Sequence, residues 1–190
     1  MGDGDEWLGA GFLGRYLVSP RTLSFIIDGD RVLLLRGAPT KRLWANRLNA
    51  VGGHVEAGED IYTAAVREVQ EETGLDVTGV RLRGVVHVAP HPSQGTGDAN
   101  VGVMLFVFTA TPAGGMLRSS AEGTLEWHAI ADVCGGGIPD LMEDLEQLLP
   151  RALAAQVPFM ACMTHDADGH PTLCMDSSIL PRGQSLSAVC

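Results

Sequence analysis

Basic residues are in short supply in this chain. Thirteen Lys and Arg face 23 Asp and Glu over 190 residues, a formal net charge of −10. Non-specific binding to nucleic acid needs a basic surface, so a duplex partner is excluded. No apolar run approaches the length of a membrane span, so no membrane is expected as a partner. The only cysteines are Cys134, Cys162, Cys174 and Cys190. Their spacing is not that of a zinc site and no leader precedes them, which predicts free thiols and a cytoplasmic protein. Aromatic residues make up 5% and there is no internal repeat. What the chain does have is 45% apolar residues, enough for a core. The length suits one domain with an appendage.

The most informative stretch runs from Gly53 to Leu75, GHVEAGEDIYTAAVREVQEETGL. Gly52, Gly53 and Gly58 mark a loop with wide backbone freedom. From about Asp60 the pattern is helical, with Ile61, Ala65 and Val69 forming an apolar stripe. Glu68, Glu71 and Glu72 stand at i, i+3 and i+4 and share another face. Gly74 is placed to end the helix in a left-handed cap. Three carboxylates so close repel one another unless a cation lies between them. A hard divalent ion takes such oxygen ligands together with substrate phosphates. Arg67 is suited to a bidentate pair with a carboxylate, and Glu59, in the loop that must fold back, is its natural partner.

The pattern Gly-x5-Glu-x7-Arg-Glu-aliphatic-x-Glu-Glu-x-Gly-aliphatic resembles the signature of the Nudix hydrolases, and every fixed position is matched. A chance match is expected on the order of once in 10⁷ chains of this length. The resemblance implies an α/β protein, an α/β/α sandwich around a mixed β-sheet, with Mg²⁺ as cofactor and Mn²⁺ as a substitute. It implies Glu68, Glu71 and Glu72 as metal ligands with a backbone carbonyl at Gly52 or Gly53. Arg67 and Glu59 would hold the loop on the helix.

The remaining chain organises itself around that stretch. Residues 1–14 carry isolated apolar anchors (Trp7, Leu8, Phe12, Leu13) and read as a loose tail, with a lid over an apolar surface as the alternative. Arg21 to Ile27 reads as a strand, Asp28-Gly29-Asp30 as a hairpin turn and Arg31 to Arg36 as the returning strand. Arg36, Lys41, Arg42 and Arg47 form a basic group just upstream of the loop. Arg36, Lys41 and Arg47 are thereby candidates for contacts to substrate phosphate or base. Asn49 stands four residues before Gly53, the spacing at which a purine-contacting Asn occurs in the branch resembling 8-oxo-dGTP diphosphatase. An amide that donates and accepts suits a purine edge, and a turn-stabilising Asn is the alternative. Val77 to Val88 reads as a strand. The spacing of His87 and His91 around its end would allow a metal, but an ordinary loop is the preferred reading, and Pro90–Asn100 reads as a polar loop. Val101 to Ala110 is expected to be the most buried strand, central and covered on both faces. Glu122, just before a Trp-containing strand at Leu125 to Ile130, resembles the glutamate that completes the site or acts as general base in several Nudix enzymes, with Glu126 second. Ala131 to Cys134 is read as a helical turn. Asp140 to Leu149 reads as an amphipathic helix that Pro150 interrupts.

The Nudix domain is thus expected over residues 1–150, with its core at about 20–150. Residues 151–190 are read as a C-terminal β-hairpin extension and tail. The set Cys162, His165, His170 and Cys174 invites a zinc site, but the symmetry of a hairpin accounts for it without metal. The hairpin is read as a wall of the base pocket or a homodimer interface. The activity implied is Mg-dependent hydrolysis of a small nucleotide. A purine nucleoside triphosphate, oxidised or not, would give monophosphate and pyrophosphate. An ADP-ribose or dinucleotide pyrophosphatase is the alternative, favoured by Pro90 fifteen residues after Leu75. A non-catalytic nucleotide sensor is the third reading, and the intact set of box glutamates speaks against it.

Overall fold

A computed structural model of the chain describes residues 16–41, 44–90 and 101–175. The expected tails, Arg42, His91 and most of the Pro90–Asn100 loop lie outside the described residues. The described elements are β1 (Leu17–Asp28), β2 (Arg31–Gly37), β3 (Leu48–Asn49), α1 (Ile61–Thr73), β4 (Leu75–Val88), β5 (Val101–Gly115), β6 (Gly123–Ala129), α2 (Ile130–Cys134), α3 (Glu143–Ala154), β7 (Phe159–His165) and β8 (Pro171–Met175). The strands form one mixed sheet in the order β3-β2-β1-β5-β4-β7-β8, with β6 also paired to β2. β1 runs parallel to β5 and β4 parallel to β7; the other pairs are antiparallel.

Alternation along β1 sorts the core into two layers. Leu23 and Phe25 point to the face packed by α3, where Leu145, Leu148, Leu149 and Ala152 are buried. Ile26 points the other way, to the face packed by α1 through Val69. The result is an α/β fold with helices on both sides of a mixed sheet, as the resemblance implies. The Asp28-Gly29-Asp30 turn forms as expected, with Gly29 at φ 63, where a Cβ would be strained.

Two expectations need correction. Pro150 does not end the last helix; it lies inside α3, which starts at Glu143 rather than Asp140. The ring removes the N–H that would reach Glu146, yet the buried leucines on either turn hold the helix on the sheet. β5 is central, but its first half is not covered on both faces: Met104 and Phe106 are only part-buried, whereas Val107 and Phe108 are buried. β2 is the more deeply buried strand, with Val32 to Leu35 at 0–2% exposure. An apolar run cannot show how far along a strand its covering helix extends.

The hairpin of β7 and β8 is joined to the main sheet through β4, with Val88 opposite Met163 and His87 opposite Cys162. Its turn is tied by Asp166 Oδ1, which accepts from the Asp168 and His170 N–H groups, both at 2.9 Å. The side chains of Met163 and Leu173 reach the core under α3.

Candidate active site

The acidic helix is fixed at both ends. Asp60 Oδ1 accepts from the Tyr62 and Thr63 N–H groups at 2.9 and 3.0 Å, satisfying two of the free donors of the first turn. Gly74, at φ 73, returns its N–H to the Gln70 carbonyl. Ala64, Ala65 and Val69 bury the opposite face.

Arg67 ties the loop to this helix. Its Nε and Nη2 donate to the two oxygens of Glu59 at 2.8 and 3.0 Å, and Nη2 also donates to the His54 carbonyl at 3.0 Å. Its Nη1 donates to Glu68 at 2.9 Å and Glu71 at 3.1 Å. The guanidinium holds the Glu59 carboxyl below its usual range, and the carboxylates hold Arg67 fully charged. The expected Arg67–Glu59 pair is therefore present, and one cation serves three carboxylates.

Glu68 and Glu72 turn toward the glycine loop. A Cβ on Gly53 would lie 2.4 Å from the Glu68 carboxylate, so only glycine leaves room for that side chain. Gly52, at φ 155, lies so close to β1 that a Cβ would meet the Thr22 carbonyl oxygen at 2.2 Å. The Gly52 N–H donates to Glu72 Oε2 at 3.0 Å. Burial pushes the Glu72 carboxyl up to about 7, opposed by that Gly52 N–H and reinforced by the nearby Glu68 charge. Glu71 points outward onto Arg67 and is 59% exposed. Among the described residues, no three Asp, Glu, His or Cys side chains converge tightly enough to hold one ion. Buried Glu72 and part-buried Glu68, two mutually repelling carboxylates beside a glycine loop, nevertheless fit a hard divalent cation, which favours oxygen ligands. The Gly53 carbonyl already accepts the Thr22 N–H at 2.9 Å, so one of its lone pairs is engaged.

The upstream basic group divides. Arg36 is held by Glu126, at 2.6 and 3.2 Å, and by the Asn46 carbonyl at 2.9 Å. Lys41 pairs with Glu122 and stands 5.5 Å from the centre of the Trp44 ring. Only Arg47 of the described three reaches the cavity, with its guanidinium donating to the Leu141 carbonyl at 2.8 Å.

A cavity of about 400 Å³ opens beside Gly52, lined by Arg21, Asn49, Leu105, Met142, Asp144, Met163 and His165 among others. The side-chain oxygen of Asn49 accepts the Ala50 N–H at 2.8 Å, and the side chain lines the cavity with no partner for its amide N–H₂ among the described residues. Asp144 Oδ1 is buried with no hydrogen-bond partner among the described residues. Burial pushes the Asp144 carboxyl up to about 6, against the pull of its own and the Leu145 N–H. The hairpin supplies Met163, His165, Gly169 and Pro171 to this cavity, which makes it a pocket wall.

The Cys and His residues of the hairpin part company. Cys162 and Cys174 are opposite one another on the sheet face turned from the cavity, where Cys162 Sγ lies 3.7 Å from His87 Nδ1. His165 lines the cavity and His170 pairs with Glu143 at 2.8 Å. His87 is a residue of β4, not of the loop beyond it, and its Nε2 is hydrogen-bonded to Tyr16.

Arg21 and Asp144 went unread in the sequence. Arg21 opens an ordinary apolar strand, and Asp144 is one of three acids in the first turn of α3. Helical spacing gives no sign that one of those acids faces inward under the hairpin.

Residues 19–152 match the model of the NUDIX domain family. The chain belongs to the Nudix family. It is 35% identical over 115 residues to the uncharacterized Nudix hydrolase YvcI of Bacillus subtilis, covering 60% of this chain and 68% of that one. It is 33% identical over 102 residues to the human 8-oxo-dGDP phosphatase NUDT18, covering 54% of this chain but only 28% of that protein. Among solved structures, the MutT protein of Bacillus halodurans superposes with TM-score 0.66 at 28% identity, covering 83% of this chain and 97% of that one. A NUDIX hydrolase of Nitrosomonas europaea, at 24% identity and TM-score 0.59 with 72% and 88% of the two chains covered, shows the shared fold. This Nudix chain is thus a pyrophosphohydrolase of the phosphoanhydride-cleaving class, from a family that typically uses a divalent metal and nucleotide-linked substrates. No helix among the described residues is long and apolar enough to cross a membrane.

Proposed function

We propose that this Nudix hydrolase cleaves a purine nucleoside polyphosphate, guanine or oxidised guanine in particular, to a nucleoside monophosphate. The observation that carries this reading is the pairing of Asn49 and Asp144 in one cavity beside the box. The Asn49 amide is a donor and the unpartnered Asp144 oxygen an acceptor. A guanine edge offers the complement, a carbonyl acceptor next to ring and exocyclic N–H donors. A buried acceptor without a partner costs about 1–3 kcal/mol, which such a base would recover. Leu105, Met142 and Met163 supply apolar surface for the ring. The likeness to a human 8-oxo-dGDP phosphatase supports the same class.

At the phosphate end, Glu68 and Glu72 would hold Mg²⁺ or Mn²⁺, with Glu71 joining by rotation away from Arg67. Such a cation, once bound, supplies charge neutralisation along the phosphates and lowers the pKa of water. Arg67 and Glu59 keep the loop in place. Glu71 or Glu122 would take the proton, and each has a cationic partner, Arg67 or Lys41. Lys41 is the member of the basic group that a substrate phosphate can draw from its carboxylate. Arg36 holds Glu126 instead.

The test is turnover of 8-oxo-dGTP, 8-oxo-dGDP, dGTP, dATP and ADP-ribose by wild type and by Asn49→Ala and Asp144→Ala. Guanine nucleotides should lead, and each variant should erase most of the preference over dATP. ADP-ribose as the best substrate, indifferent to both variants, would transfer the site to the dinucleotide class.

A further inference from the structure

Arg21 has a place in the cavity that the family signature does not explain. It lies near the start of β1, and its backbone forms an antiparallel bridge with His54 of the glycine loop. The next residue is locked to the same loop, with the Thr22 N–H on the Gly53 carbonyl at 2.9 Å. The position of Arg21 is therefore set by the segment that also makes room for Glu68. Its side chain lines the cavity that holds Asn49 and Asp144.

Its guanidinium makes no hydrogen bond or ion pair with any described residue. The other described arginines in or near the site have one: Arg36 is held by Glu126, Arg47 by the Leu141 carbonyl and Arg67 by Glu59. Arg21 is part-buried, and its partial loss of water lowers its pKa, with Glu68 and Glu72 close enough to oppose that shift. A guanidinium with five donors, poor hydration and no hydrogen-bonded or ion-paired partner among the described residues is an anion site by its chemistry. The overall charge of −10 repels a polyanion, so a cation fixed inside the cavity has to offset it locally.

We propose that Arg21 holds the phosphate next to the nucleoside, the group that joins the base pocket to the metal-binding end. This assignment rests on the nucleotide reading above and deepens it. A planar fork can take two oxygens of that phosphate at once, which fixes the nucleotide's register along the cavity. Asn49 and Asp144 then choose the base, Arg21 grips the phosphate that stays with the nucleoside, and the Glu68–Glu72 end addresses the phosphates beyond it. Because the gripped phosphate stays on the product, Arg21 acts on binding of both substrate and monophosphate.

The experiment measures binding of guanosine and of GMP, without metal, to the full chain and to Arg21→Met, Arg21→Lys and Asn49→Ala. Mn²⁺ binding to each is measured in parallel by electron paramagnetic resonance. Arg21→Met should weaken GMP by about 10- to 100-fold, as for loss of a charge-assisted pair, and leave guanosine unchanged. Arg21→Lys should recover part of the loss, since it keeps the charge without the fork. Asn49→Ala should weaken both ligands alike. GMP binding unchanged in Arg21→Met overturns the proposal, and so does an equal loss of GMP and guanosine, which would mean a distorted pocket. A change confined to Mn²⁺ affinity also overturns it and assigns Arg21 to balancing Glu68 and Glu72. If Asn49→Ala leaves GMP intact while Arg21→Met weakens it, the base reading fails and the phosphate assignment stands.

Discussion

Gly53 shows how little freedom the site has at the scale of single residues. With a Cβ 2.4 Å from the Glu68 carboxylate, Gly53→Ala must push that side chain or the loop aside. Activity should fall by about 10²-fold or more with a small change in melting temperature, since displacement of a reacting group by ~1 Å has that effect. Near-full activity with an undisplaced Glu68 in a crystal structure of the variant would contradict this. The two candidate bases separate in the same way. Glu71→Gln and Glu122→Gln should differ, the true base losing about 10²–10⁴ in kcat and the acidic limb of its pH profile. Equal, modest losses from both would assign neither. The pattern between Gly53 and Leu75 was legible in the sequence because its positions stand at fixed spacing in one segment. His54, Arg67 and Glu59 meet through a loop short enough to be read from one segment. Arg21 and Asp144 were not legible, because each joins the site from a distant element and neither carries a motif.

α1 and α3 make the element-scale case. The Asp60 cap of α1 supplies two backbone bonds, so Asp60→Ala should lower stability by ~1 kcal/mol, read as the urea midpoint. In α3 the sequence misleads, because Pro150 reads as a stop and is instead accepted within a helix whose leucines are buried on both sides of it. Pro150→Ala should stabilise the protein by restoring a backbone bond, by up to ~3 kcal/mol. A destabilised variant would mean that the ring's packing outweighs the bond. Asp144 at the start of α3 adds a pH signature. Its folded pKa, raised to about 6, exceeds its ordinary value of 3.8, so the folded state binds more protons between those values. Its contribution to stability is therefore best below pH 3.8 and is lost as pH rises to about 6. Relative to wild type, Asp144→Asn should gain stability over that window and hold the gain above it. A difference independent of pH would refute the buried, raised carboxyl.

At the scale of the whole molecule, the sandwich was foreseeable from alternating strands and two amphipathic helices, and the resemblance carried the topology. What the sequence hid was how the C-terminal hairpin is used. Its strands extend the sheet beyond β4 and its inward face closes the cavity with Met163 and His165. Parallel pairing of β7 with β4 spans more than seventy residues, and no local pattern encodes it. The signature thus lies in one contiguous stretch, while the cavity we propose to select the substrate is assembled from β1, β3, α3 and the hairpin. That division explains why the reaction class was plain and the substrate was not.

The most direct test is Mg²⁺-dependent turnover of 8-oxo-dGTP and dGTP against ADP-ribose, with Glu68→Gln beside wild type. The account predicts release of a guanine monophosphate, preference for the guanine nucleotides, and a loss of about 10²–10⁴ in the variant. Undiminished activity in Glu68→Gln, or tight nucleotide binding with no turnover by wild type, would contradict it.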